Sequence, residues 1–168
     1  MISEALPIMQ RVTHELNQSC HLGILEGDRV VIVAQGDSPL SVGFYVKVGG
    51  VGDLMRSTTG HVILAHPTIV SSRAVQPWSQ HNGARPPRDL DLHLSKKERG
   101  YEERKSYEVE GGINISFPVF DDRGHAIAGL SVPFLQRIGD QTTPITVRRV
   151  LKEASSLLSE AMGGPLVS

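Results

Sequence analysis

The run Cys20-His-Leu-Gly-Ile-Leu-Glu-Gly-Asp-Arg-Val-Val-Ile-Val-Ala34 decides the fold class. Two apolar stretches flank Gly27-Asp28, the spacing of a β-hairpin with a two-residue turn. Strands joined this tightly are antiparallel neighbours and begin a sheet. Val30-Val-Ile-Val-Ala34 is almost continuous in apolar residues, which predicts a strand covered on both faces. Downstream, Gly36-Asp-Ser-Pro39 is a turn cluster. Val42, Phe44, Tyr45, Val46 and Val48 then predict a third strand. Gly49 to Asp53 is a flexible connection, and Arg56 to Ala65 reads as a short helix begun through Ser57, Thr58 and Thr59. A helix start of this kind favours anions, because its free N–H groups and its dipole point the same way.

Upstream, Leu6, Met9, Val12 and Leu16 make one helical stripe, with Pro7 in its first turn. Thr68 to Gly83 shows no clear period. Pro86-Pro87 opens a polar helix from about Arg88 to Arg104, whose mixed charges mark a solvated face. Ile113 to Phe120 and Ala126 to Phe134 are two further strands around the turn Asp121-Asp-Arg-Gly124. Thr143 and Pro144 are a cap and a first-turn proline. Ile145, Val147, Val150, Leu151, Ala154, Leu157, Leu158 and Ala161 form a long apolar face, ended at Gly163-Gly164-Pro165. The predicted fold is α/β (α+β): a mainly antiparallel central sheet with helices packed on its faces, the two terminal helices together on one side.

Composition narrows the function. The chain has 168 residues, the size of one domain, with 17 basic and 18 acidic side chains and a formal charge of -1. A dedicated nucleic-acid reader usually shows a basic excess, which is missing here. The single cysteine, Cys20, allows no internal disulfide and fits a reducing cytoplasm. Its place in a strand predicts a small buried apolar side chain. No run approaches the ~18 apolar residues of a membrane span, and Met1 to Pro7 is unlike a signal peptide.

Catalytic patterns are weak. The seven histidines, His14, His21, His61, His66, His81, His93 and His125, are scattered. His61 and His66 are five apart, which does not place two metal ligands on one helical face. Ser131, His61 and Asp121 make a triad only on paper, because no nucleophile elbow surrounds the serine. The glycine pairs fit no dinucleotide or phosphate loop. The expectation is a protein that is not an enzyme and that uses no cofactor or metal.

Several segments in this order resemble the C-terminal effector-binding domain of IclR-family transcriptional regulators, whose fold is GAF-like. They are His21 to Val31, Tyr45-Val-Lys-Val-Gly49, Gly60-His-Val-Ile-Leu-Ala65, Glu98-Arg-Gly-Tyr101, Gly112 to Asp121, and Ala128-Gly-Leu-Ser-Val132. The resemblance implies a single effector-binding domain over residues 1–168. In the family a winged helix-turn-helix head reads DNA. None is expected in this chain, whether as an excised sensor half or as a headless relative. DNA would then be reached only through a domain outside it. The resemblance also implies a homo-oligomer, a dimer or dimer of dimers.

The family's pocket lies between the sheet and the helix after the third strand. By position, Leu54-Met-Arg-Ser-Thr-Thr59 matches the loop whose backbone amides hold an effector carboxylate. Thr58 and Thr59 are the expected N–H donors, with Ser57 an adjacent hydroxyl. Ser131 matches a pocket hydroxyl, and Pro133 stands where a second serine is common. Ile115 matches an inward position of the fourth strand, and Phe44, Leu54 and Met55 are candidate apolar wall. Asp53 replaces a proline, Arg56 a small residue and His61 a lysine, while Lys105 falls where some members are acidic. Arg56 and Lys105 are expected to make the pocket basic, suiting an organic acid. Two alternatives stand beside this reading. One is an oligomerisation module with a degenerate pocket. The other is a small GAF-type enzyme, against which the single cysteine argues.

Overall fold

A computed structural model describes residues 1–66, 68–82 and 98–167 of the chain. The order is α1 (Ile2–Leu16), β1 (Cys20–Glu26), β2 (Arg29–Gly36), β3 (Val51–Asp53), α2 (Thr58–Leu64), α3 (Ile69–Asn82), β4 (Glu102–Lys105), β5 (Ile113–Phe120), β6 (Ala126–Phe134) and α4 (Pro144–Ala161). The strands form one six-stranded sheet in the order β3-β2-β1-β6-β5-β4, antiparallel throughout. The chain therefore has the mixed α/β architecture, with helices on both faces, that its hairpins and terminal helices predict. No helix among the described residues is long and apolar enough to cross a membrane.

Local chemistry explains most of the boundaries. Gly27, at φ 61°, is the first central residue of the β1–β2 turn, a position that favours glycine. Thr143 caps α4 by accepting from the Thr146 N–H, and Gly163, at φ 77°, follows its end. α1 starts at Ile2, earlier than the stripe from Leu6 predicts, so Pro7 lies inside it. Its buried face is Ala5, Met9, Val12, Thr13 and Leu16, while Leu6 is exposed.

α1 and α4 cover one face of the sheet. Met9, Leu16, Leu22, Ile115, Phe117, Leu130, Val132, Leu151 and Leu158 form the main core there. α2 lies on the opposite face, over a smaller cluster of Val30, Leu54, Met55, Leu64 and Ala74. The register of β1 with β2 shifts between Leu22 and Gly23, opposite Ile32 and Ala34. Ala34 joins the α1 side, whereas Val30 belongs to the cluster under α2. The unbroken apolar run in β2 thus reflects this bulge as well as cover on two faces.

Two predicted elements are corrected. Residues 42–48 form no strand. The third strand is Val51–Asp53, and the ladder reaches it through Ile32 O, which accepts from Gly49 N at 2.8 Å, and Ile32 N, which donates to Gly50 O at 3.0 Å. The backbone of the two glycines takes the pairing that the alternating apolar residues advertise. The predicted helix from Arg88 to Arg104 falls mostly outside the described residues, but its end is a strand. Glu102–Lys105 pairs with β5 as a charged edge, which blunts pairing with other chains.

Candidate functional site

Three cross-strand rows build the site. Gly23 of β1 pairs with Gly129 of β6. A Cβ on either would lie 2.9 Å from the Thr59 methyl, so glycine lets α2 lie close against the sheet. The next row runs His21–Ser131–Ser116–Glu102 across four strands. Beyond it, Pro133 pairs with Asn114 and Asn114 with Arg104.

The second row binds α2 by polar contacts. Thr58 Oγ1 and Ser116 Oγ are 2.6 Å apart, Ser116 Oγ and Ser131 Oγ 2.5 Å, and Ser131 Oγ and Thr59 Oγ1 2.8 Å. All four hydroxyls are buried. At the end of the row, Glu102 Oε2 lies 2.9 Å from His61 Nδ1, and Glu102 Oε1 accepts from Arg99 at 2.9 Å and from the Glu103 N–H. His61 Nε2 donates to the Met55 carbonyl. Glu103, next to Glu102 on β4, points to the other face and accepts from Arg148 of α4 at 2.6 Å, the alternation of an extended strand.

Ser57 caps α2, accepting from Gly60 N at 3.0 Å. Asp53 closes the preceding turn by accepting from Met55 N and Arg56 N, which is the work done by the residue that departs from the family's proline. These contacts leave the amides of Thr58 and Thr59 without a hydrogen-bond partner among the described residues. Thr58 and Thr59 both line a cavity of about 280 Å³. Val30, Ile32 and Val51 form its apolar wall, with Phe44, Tyr45 and Val46 from the 42–48 segment. Its polar wall is His21, Ser57, Thr58, Thr59, Ser106, Tyr107 and Asn114, with Pro133 beside them. Lys47 and Glu108, both exposed, are the charged side chains of the lining.

Of the residues expected in the pocket, Phe44, Ser57, Thr58, Thr59 and Pro133 line the cavity. Ser131 lies just beneath it, sealed under Thr59. Leu54 and Met55 are buried in the cluster under α2, outside the wall. Ile115 is corrected outright: it packs in the core beneath α1 and α4, because its neighbours Asn114 and Ser116 take the opposite face. Arg56 is exposed and lies 4.5 Å from the Tyr107 ring centroid, a cation–π contact at the cavity edge. Lys105 is exposed and lines no part of the cavity. The basic pocket expected from these two residues is therefore replaced by a neutral interior. His21, Asn114 and Tyr107 are additions that the linear pattern did not single out. Only a known strand register marks the first two.

Cys20 is buried beneath α1, with Sγ 3.6 Å from the Met9 carbonyl, and burial pushes its thiol up to about 12. It is a packing residue rather than a reactive thiol. Among the described residues no three histidine, cysteine or acidic side chains converge as metal ligands. The paper triad does not assemble: Asp121 Oδ1 accepts from the Arg123 and His125 amides in the β5–β6 turn, and His61 is committed to Glu102 and Met55.

Burial lowers the His21 imidazole to about 4 from its usual 6.5. The folded state thus keeps His21 neutral where the unfolded chain protonates it. Between these values the unfolded chain binds more protons, so this contribution is complete above 6.5 and is lost as pH falls toward 4. It amounts to about 2 kcal/mol between pH 7 and pH 5. Denaturant midpoints of the native protein are expected to fall more steeply across that window than those of His21→Phe. Parallel curves would contradict a neutral buried ring.

The fold is that of the C-terminal domains of a class of transcriptional regulators. The C-terminal domain of Escherichia coli KdgR superposes with a TM-score of 0.75 at 24% identity, covering 96% of this chain and 98% of that one. In sequence, residues 1–159 match the family described as bacterial transcriptional regulator IclR C-terminal. The chain belongs to that family, one of transcriptional regulators and not of enzymes. It is 28% identical to the HTH-type transcriptional regulator KdgR of Escherichia coli over 75% of its length, and 24% identical to BhcR of Paracoccus denitrificans over 79%. It spans about half the length of the curated relatives it matches.

Proposed function

We propose that this chain is the effector-sensing domain of an IclR-type regulator, acting in the cytoplasm, and that its effector is a small organic acid. The observation that carries this reading is the pair of unbonded amides at Thr58 and Thr59, beside the Ser57 hydroxyl, in residues that line the cavity. Such amides hold a carboxylate without a side-chain cation. α2 and the 42–48 segment enclose the cavity from two sides, so an occupant touches both and favours the conformation in which they close. DNA contact belongs to the part of the relatives' length that this chain does not match. Self-association as a dimer or dimer of dimers completes the reading. Arg56, stacked on Tyr107, leaves the cavity open, which favours a retained site over a degenerate one.

A thermal-shift screen of small carboxylic acids tests this. An acid at a hundredfold excess over its dissociation constant stabilises by about 2.7 kcal/mol, a rise of roughly 5–11 °C for a domain of this size. Thr58→Pro removes the first amide at a helix position that tolerates proline. Thr58→Val keeps the amide and loses only the hydroxyl. The shift is expected to vanish in the first variant and persist in the second. A flat melting point across the whole panel ends the proposal.

A further inference from the structure

His21 lies on β1 between Gln35 and Ser131, and its side chain forms part of the cavity wall. The hydroxyls of Thr58, Ser116, Ser131 and Thr59 beside it bond to one another. None of them bonds the imidazole. Nδ1 is buried without a partner, and Nε2, the accessible nitrogen, has no partner among the described residues either. Among the described residues the other buried side-chain polar atoms without partners, Gln35 Oε1 and Asp140 Oδ2, belong to residues that line no part of the cavity. Nε2 is therefore the ring nitrogen that a molecule in the cavity can reach, while Nδ1 stays buried behind it.

The chemistry of that molecule follows from the ring. A neutral imidazole offers one N–H and one lone pair. A bare lone pair is the less costly group to leave buried, which assigns the proton to Nε2, on the accessible side. Burial holds the ring neutral near pH 7. The other titratable side chains of the lining are Tyr45, Lys47, Tyr107 and Glu108, and the two charged ones are exposed and opposite in sign. A second carboxylate at this end of the cavity therefore meets no buried cation, whereas an uncharged oxygen meets a donor.

Resting on the acid-sensing reading above, we propose that His21 is the specificity-determining residue of the site. It hydrogen-bonds an uncharged oxygen of the effector, a carbonyl or a hydroxyl. The site then prefers an oxo or hydroxy monoacid over the plain acid of equal length and over the diacid.

Titration calorimetry on the full chain at pH 7 tests this with two probe sets. They are propionate, lactate, pyruvate and malonate, then hexanoate, gluconate and adipate, each run in two buffers of different ionisation enthalpy. An oxygen-bearing monoacid is expected to bind ~10–100-fold more tightly than the plain acid and the diacid of its set. Proton uptake should be near zero. His21→Phe should erase the preference, read as the ratio of affinities within each set, while His21→Gln, which keeps a neutral donor, should restore part of it. If His21→Phe fails to fold, His21→Gln and the proton uptake of the native protein decide. The proposal is overturned if the preference survives in His21→Phe, or if a diacid binds best with uptake of about one proton. Acids that bind without preference sink this inference alone. Binding by none of them sinks the acid-sensing reading as well.

Discussion

Gly60→Ala is expected to lower stability by ~3 kcal/mol or more, seen as a melting point roughly 6–12 °C lower. A Cβ at this position would lie 2.0 Å from the Leu54 carbonyl oxygen, 2.9 Å from its carbon and 3.0 Å from Ser57 Oγ. The oxygen is backbone and has no torsion by which to swing away. Leu54 is fully buried in the cluster under α2, so the turn cannot simply retreat. The helix would have to lift, straining the Thr58–Ser116 and Thr59–Ser131 hydroxyl pairs and the His61–Glu102 contact together. Gly129→Ala is the informative comparison. Its added methyl would lie 2.9 Å from the Thr59 methyl, 3.1 Å from Val62 Cγ2 and 3.3 Å from the Thr59 Cα, a milder overlap than 2.0 Å from a carbonyl oxygen. A smaller loss is expected there. An unchanged melting point in Gly60→Ala would mean that α2 does not sit this close to its own turn.

Removing the carboxylate of Glu102 should be comparably severe. Glu102→Ala is expected to lose about 3 kcal/mol, because buried partners are left without their acceptor. Glu102 and His61 are each 2% exposed, and Arg99 and the Glu103 amide use the second carboxylate oxygen. Glu102→Gln keeps one acceptor oxygen and should lose less. Glu153→Ala provides a contrast, since its pair with Arg149 is exposed at the protein surface and its loss should leave the melting curve unchanged. Chemical denaturation of the three variants orders them. Equal midpoints for Glu102→Ala and Glu153→Ala would show that the buried row contributes nothing to holding α2 on the sheet.

Both predictions concern contacts that no local pattern discloses. Glu102 lies in Glu-Glu-Arg-Lys, four charged residues that read as the end of a solvated helix. Only pairing with β5 makes them a strand, and only alternation then sends Glu102 inward to His61 and Glu103 outward to Arg148. The same logic moved Ile115. Its apolar character suits either face of a sheet buried on both sides, and a shift of one residue exchanges the two faces. Residues 42–48 misled for a related reason. Alternating apolar side chains report a surface to be covered, and here that surface is the cavity, which Phe44, Tyr45 and Val46 line from outside the sheet.

Signals carried by a few adjacent residues were legible in the chain itself. The Gly27-Asp28 hairpin, the Thr143-Pro144 start of α4, the glycine stop after it and the apolar stripes of the terminal helices need only short-range sterics and hydrogen bonds. They determine the element types, the antiparallel sheet and the family likeness, and with Ser57 to Thr59 they point to the start of α2. Tertiary structure decided what surrounds that start. Strand register placed His21, Ser116 and Asn114 on the face of α2. Stacking on Tyr107 drew Arg56 to the edge, and the cavity interior became neutral. The physical reason is that side-chain direction in a sheet depends on pairing between residues far apart in sequence, which no single segment contains.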